Sequence, residues 1–256
     1  MESIKELRSA CRKPGGYEAV KEKIFLRVIR VFSIYLTWFF LRFKKITADH
    51  VTIVSVVIFV LGAFCYVWGY YWLNLIGIAL IWLSIVMDFS DGEIARYKRG
   101  SLEKTDHERF KILQLKGSVL EGWTHDIKYG VLFLFLAVGE YSSFPYPSLL
   151  ILLGFSASMS QVLSRLTKLR YIHNFFPIKS AEEAYQEMSK KSMFAKQGGL
   201  RKFLSNTFGA TSEIATWLTL ATIVDKVYIV IIFYGIFFSA AYGVLMVKQY
   251  RGFKKI

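Results

Sequence analysis

LNLIGIALIWLSIVMDFSDGEIARYKRGS occupies residues 73–101. Leu73 to Met87 carry no charge, and then Asp88, Asp91, Glu93 and Arg96 fall within nine positions. A bilayer core takes about 20 mostly apolar residues of helix. This stretch therefore reads as a membrane span, 73–95, that ends in a polar cluster. If it is a helix, Asp88 and Asp91 lie at i and i+3 and share one side, about 5–6 Å apart at Cβ. A charge at the middle of a span costs on the order of 2.5–3.5 kcal/mol, less near its end. Two readings stand open: a solvated helix end, or a water-filled cavity whose cation neutralises the pair. Two adjacent acids favour the cavity, with an oxygen-loving ion such as Mg²⁺, Mn²⁺ or Ca²⁺.

Outward from this stretch the same pattern repeats. Of 256 residues, 54% are hydrophobic and 17% aromatic, and the mean hydropathy is +0.37. Six runs fit a span: 51–68, 73–95, 118–139, 147–167, 207–224 and 227–247. The net charge of +14 invites a nucleic-acid reading, but its distribution argues for a membrane. With both termini inside, residues 1–50, 96–117, 165–206 and 248–256 hold 11, 7, 9 and 4 Lys or Arg, which is 31 of the 33. Only Lys128 and Lys226 fall elsewhere. Six spans with cytoplasmic termini satisfy the positive-inside rule, and no nucleic-acid partner is expected.

Residues 24–43 (IFLRVIRVFSIYLTWFFLRF) have an uncharged core of only Val31 to Leu41, flanked by Arg27, Arg30, Arg42, Lys44 and Lys45. An interfacial amphipathic helix is expected there. The fold class is thus all-α integral membrane: a cytoplasmic segment with its interfacial helix in 1–50, then a six-helix domain in 51–250. Cys11 and Cys65 form no disulfide framework or metal pattern. The opening residues lack the apolar core of a signal peptide.

A second polar cluster lies in GSVLEGWTHD, residues 117–126, where Gly117, Glu121 and His125 recur every four positions. That spacing puts them on one helix face. A glutamate and a histidine inside a span are functional candidates, with a structural polar network including Asp126 and Lys128 as the alternative. Gly92 and Ala95 either allow close helix packing or clear room for a ligand beside the acids. Arg96 is either a helix-end anchor or a phosphate partner.

Together these residues resemble the CDP-alcohol phosphotransferase family, whose motif reads D-x-x-D-G-x-x-A-R and, after a spacer, G-x-x-x-D-x-x-x-D. Asp88, Asp91, Gly92, Ala95 and Arg96 match the first half in full. KITADHVT, residues 45–52, is similar to the family's T-P-N-x-x-T at the start of its first span, through Thr47 and Thr52. Ala48 and Asp49 stand where that entry has proline and asparagine, and the second half of the motif departs in two ways. The spacer from Arg96 to Gly117 is 20 residues, longer than the family's, and Glu121 and His125 replace the last two aspartates.

The resemblance implies a transferase of phospholipid biosynthesis. An acceptor hydroxyl attacks the phosphorus of a CDP-linked alcohol or lipid distal to cytidine, a phosphoryl-alcohol group of the phosphatidyl kind is transferred, and CMP leaves. It implies Mg²⁺ or Mn²⁺ in a two-metal site on Asp88, Asp91 and Glu121. It assigns the nucleotide to Gly92, Ala95, Arg96 and Thr52, and the general base to His125 with Asp126 as the substitute. Arg165 and Lys168 are candidates for an acceptor phosphate, or ordinary basic anchors. A homodimer in a prokaryotic inner (plasma) membrane is implied, with the active site on the cytoplasmic side of the bilayer. The competing expectations are a relative that binds without turnover, for which Glu121 and His125 argue, and an ion-coupled transporter.

The charge distribution generates a topology test. With both native cysteines replaced by alanine, Ser101→Cys and Ser189→Cys should react with a membrane-impermeant maleimide only from the cytoplasmic side, and Ser142→Cys only from outside. Labelling of Ser142→Cys from the cytoplasm would refute the six-span arrangement.

Overall fold

The computed structural model describes Ile4, Leu7 and Cys11 and residues 24–43, 45–99, 107–175 and 211–253. All regular structure among the described residues is helical. Helix α1 is Ile24–Leu41, and α2 is Ala48–Cys65, continued by a 3-10 turn over Tyr66–Trp68. Then come α3 (Tyr71–Arg99), α4 (His107–Gly139), α5 (Pro147–Phe175), α6 (Thr211–Ile223) and α7 (Val227–Phe253). Among the described residues, four segments are long and apolar enough to cross a bilayer: Ala48–Trp68, Tyr71–Lys98, Pro147–Thr167 and Val227–Val247. By length and composition this is an α-helical membrane protein.

The other two expected spans have different characters. Residues 118–139 lie in α4, whose 33 residues rise about 50 Å. Glu121, His125, Asp126 and Lys128 dilute the apolar character of its first half. Residues 207–224 correspond, where described, to α6, which has 13 residues. The helices also outrun the apolar runs. Helix α3 continues to Arg99, α5 to Phe175, and α4 starts at His107 where a connection through 117 was expected. Apolar length measures what a bilayer accepts, whereas a helix continues until a breaker stops it. The remainder of that connection lies outside the described residues, as do residues 176–210.

The chain divides into two compact units, Met1–Phe64 with Ala79–Lys128, and Cys65–Ile78 with Tyr129–Ile256. In the first, Val51, Met87 and Ile94 form a buried cluster with Leu36, Phe40, Ile46 and Ile58 around them, which joins α1, α2 and α3. Helix α1 is apolar on the outside. Val28, Val31, Phe32, Tyr35 and Phe39 are exposed, while Ser33 and Thr37 are wholly buried. In water that arrangement exposes a large apolar face. Against lipid it puts the apolar side chains where they belong and the hydroxyls where they find partners.

The second unit is held by close backbone approach. At Gly154 in α5 an added Cβ would stand 2.6 Å from both the Ala137 Cβ and the Phe133 carbonyl oxygen of α4. At Gly235 in α7 it would stand 2.9 Å from Leu153 Cβ. Gly69 adopts a left-handed φ of 66°, and a Cβ there would meet the Gly139 carbonyl at 2.5 Å. Small residues at helix contacts are the usual means of packing where lipid supplies no hydrophobic drive between helices. Ser156 and Ser239 bond at 2.6 Å between α5 and α7, and Tyr66 bonds Thr222 at 2.7 Å. The rings of Phe133, Tyr234 and Phe238 fill the space between, with centroids 5.0–5.7 Å apart.

The glycine contacts predict a contrast. Gly154→Leu should lower stability by about 1–3 kcal/mol or more, the usual cost of overpacking. Gly243→Ala, where nothing lies within 4 Å of the added Cβ, should be neutral or mildly stabilising. Thermal unfolding of the detergent-solubilised protein checks both, and equal melting temperatures for the two variants would contradict the packing described.

Candidate functional site

The site begins at a helix cap. Thr47 precedes α2, and its Oγ1 accepts the His50 N–H at 3.4 Å while His50 Nδ1 accepts the Thr47 N–H at 3.3 Å. This is a capping box with histidine in the place usually held by glutamate. Ala48 then takes the first helical position, where proline is also favoured. The cap fixes where α2 starts, and so which face carries Thr52 and Ser55.

Those two hydroxyls sit at i and i+3, as do Asp88 and Asp91 on α3, and the two rows pair. Thr52 Oγ1 donates to Asp91 Oδ2 at 2.6 Å, and Ser55 Oγ donates to Asp88 Oδ1 at 2.6 Å. The order reverses along the chain, so the helices run antiparallel here. Each hydroxyl has one proton and a second acceptor within reach, Ala48 O at 3.0 Å for Thr52 and Thr52 O at 2.9 Å for Ser55. The shorter, charge-assisted bonds to the carboxylates are the stronger choice.

Lys128 of α4 completes the group. Its Nζ lies 2.6 Å from Asp88 Oδ2, 2.8 Å from Asp88 Oδ1 and 3.4 Å from Ser55 Oγ. The lysine side chain is 2% exposed and that of Asp88 31%. The ammonium is therefore buried beneath a carboxylate that is itself partly exposed. The Phe59 ring centroid is 5.5 Å from Nζ. Two carboxylates and one ammonium leave a formal charge of −1 on the group.

The remaining predicted residues divide. Gly92 faces the guanidinium of its own helix, where an added Cβ would stand 3.2 Å from one terminal Arg96 nitrogen. Arg96 Nε donates to the Cys11 carbonyl at 2.8 Å. Ala95, His125 and Asp126 are half-buried, and Glu121 is exposed. Thr124 Oγ1 donates to the Glu121 carbonyl at 2.8 Å. Among the described residues no three Asp, Glu, His or Cys side chains gather at one point. Arg165 is half-buried in the second unit, and the Lys168 side chain lies outside the described residues.

A clamp of two divalent ions on Asp88, Asp91 and Glu121 does not fit this arrangement. Both oxygens of Asp88 face the Lys128 ammonium, and Glu121 does not join the pair.

Glu93 is the residue that motif reading passed over. It stands at an unspecified position of D-x-x-D-G-x-x-A-R, yet it is buried. Its carboxylate accepts Ser33 Oγ at 2.9 Å and Thr37 Oγ1 at 2.7 Å from α1. Ser90 Oγ donates to the Ser33 carbonyl at 3.0 Å. The signal available beforehand was the i, i+4 spacing of Ser33 and Thr37 within the uncharged core, Val31 to Leu41, of that helix.

Comparison with protein-family models gives no match, and comparison with curated protein sequences gives none.

Removing one donor from Glu93 should show how firmly α1 is held. Thr37→Val should lower stability by about 1–3 kcal/mol, the cost of a buried acceptor left short of a partner, and Thr37→Ser should recover most of it. In a double-mutant cycle with Glu93→Leu the two losses should be strongly non-additive. Additive losses would mean that the pair is not coupled.

Proposed function

We propose that this chain transfers a phosphoryl-alcohol group, of the phosphatidyl kind, from a CDP-linked alcohol to an acceptor hydroxyl, with release of CMP, in phospholipid synthesis. The observation that carries this reading is the pairing of Thr52 with Asp91 and of Ser55 with Asp88. It joins two sequence motifs, one before and one at the end of an apolar hairpin, into one polar face. In this reading six spans carry the site. Helix α1 lies in the membrane interface with its apolar face toward lipid, both termini are cytoplasmic, and the protein works as a homodimer in a prokaryotic plasma membrane.

The chemistry is a substitution at phosphorus. The acceptor oxygen bonds to the phosphorus distal to cytidine, the anhydride P–O bond breaks, and CMP takes the electron pair. The acceptor proton goes to His125, whose imidazole takes the family's base position, with Asp126 beside it. Gly92 and Ala95 leave the α3 surface low beside the acids. Arg96 offers a guanidinium one turn further on, and a lipid substrate reaches such a site from the bilayer.

The closed Lys128–Asp88 pair and the exposure of Glu121 favour one further reading, a relative that binds the nucleotide without turning it over. One assay separates the two. Purified protein is given CDP-diacylglycerol or a CDP-aminoalcohol, each crossed with candidate acceptor alcohols, and CMP is measured. Transfer predicts CMP release that needs both partners, is abolished by Asp91→Asn, and falls by roughly 10²–10⁴-fold in His125→Ala. Saturable CDP binding without CMP release would establish the second reading, and neither binding nor release would exclude both.

A further inference from the structure

We propose that Lys128 is a resident counter-cation for the acid pair. Its ammonium occupies the place at Asp88 that a divalent ion would take, and it decides whether the site accepts such an ion.

The geometry is that of a chelated cation. Nζ meets both oxygens of one carboxylate, at 2.6 and 2.8 Å, and lies 3.4 Å from the Ser55 hydroxyl that bonds the same carboxylate. A calcium or magnesium ion asks for the same carboxylate and hydroxyl oxygens, at 2.3–2.6 or 2.0–2.1 Å. Both cannot be satisfied at once. A divalent ion brought onto Asp88 would sit beside the ammonium and be repelled by it.

Lysine usually answers such a conflict by swinging its charge into water along a flexible stem. Lys128 has no such exit within its packing. Its side chain is 2% exposed and passes the Phe59 ring. The charge also fits the local balance. Asp88 and Asp91 alone carry −2, and Lys128 brings the group to −1. That is a much weaker pull on a divalent ion than the bare pair exerts.

Position along α4 supports the substitution. Glu121, His125 and Lys128 follow at steps of four and three residues, so they share a helix side. The ammonium lies on the stripe where the family resemblance looks for its last two acids, one a metal ligand and one the general base.

The inference concerns the site of the proposed transfer, but its test needs no nucleotide. Full-length protein in detergent is titrated with Mn²⁺, and free Mn²⁺ is read by electron paramagnetic resonance. The wild type should show no saturable site at Asp88 below millimolar Mn²⁺. Lys128→Met should gain one, with affinity at least tenfold higher, and should melt at a higher temperature with Mn²⁺ than without. Adding Asp88→Asn should abolish the gain. Lys128→Gln keeps a polar group in place if the methionine variant does not fold, and should gain the site as well.

Tight Mn²⁺ binding by the wild type that Asp88→Asn removes would overturn the proposal without any lysine variant. So would a lysine variant that folds and binds Mn²⁺ no better than the wild type. If CMP release is absent but the Mn²⁺ results hold, the transferase reading fails and this one stands. If wild-type CMP release requires Mn²⁺ held tightly at Asp88, the reverse is true.

Discussion

An ammonium whose side chain is 2% exposed has to be paired where it lies. Removing one partner of such a pair leaves an uncompensated charge, which is far more costly than never having buried either. Lys128 and Asp88 therefore constrain each other, and the constraint spreads. Asp88 is fixed by Ser55, Ser55 shares a helix face with Thr52, and Thr52 fixes Asp91. The cap at Thr47 sets the rotation of that face. Three helices are thus registered by a short chain of charge-assisted bonds. Shifting α2 by one residue would turn its hydroxyls away by about 100° and break both contacts.

Much of this was legible in the sequence, for definite reasons. The hairpin of α2 and α3 and the spans in α5 and α7 are uninterrupted apolar runs, which little else explains. The acids at 88 and 91 announced a site because a bilayer penalises them. Helix α4 was harder, since the polar residues that make it interesting lower its apolar average. The extent of α3, α4 and α5 beyond their apolar runs was missed because hydropathy measures the solvent and not the backbone. Lys128 left a trace in the sequence, where it stands with Asp126 in the alternative polar network. It was one of two basic residues outside the cytoplasmic segments, and a lysine that breaks the charge rule inside a span needs an acid. Glu93 was hidden in an unspecified motif position. Only the inward-facing hydroxyls of α1 identify it as buried.

The two units are held by different forces. Around the acid pair, charges and hydroxyls converge and nearly every contact is directional. In the second unit the contacts are glycines, alanine and aromatic rings at close range, with a serine pair between α5 and α7. Dispersion packing tolerates small sliding, whereas a short ionic bond does not. The polar contacts accordingly hold the two carboxylates at a fixed spacing.

For the transfer proposed above, that difference bears on how such a site could keep its form without a metal ion. Carboxylates in a span need positive charge nearby at all times, because their cost is paid on folding and not on substrate binding. A site that borrows a divalent ion is incompletely compensated whenever the ion is away. A lysine one or two turns along the facing helix removes that vulnerability. It does so at the expense of the double charge that makes a metal ion a strong clamp for a diphosphate. With Lys128 in place, the group keeps the shape of the acid pair and the hydroxyls that orient it. Under the proposed transfer, what would remain to balance a diphosphate is the charge outside the group. Arg96 is the nearest such cation along α3, and its Nε is already turned to the Cys11 carbonyl. The planar guanidinium has further N–H donors beyond Nε, so it can keep that bond and still offer a face to phosphate. In the transfer proposed above, stability and phosphate recognition would then rest on separate cations, Lys128 for the first and Arg96 for the second.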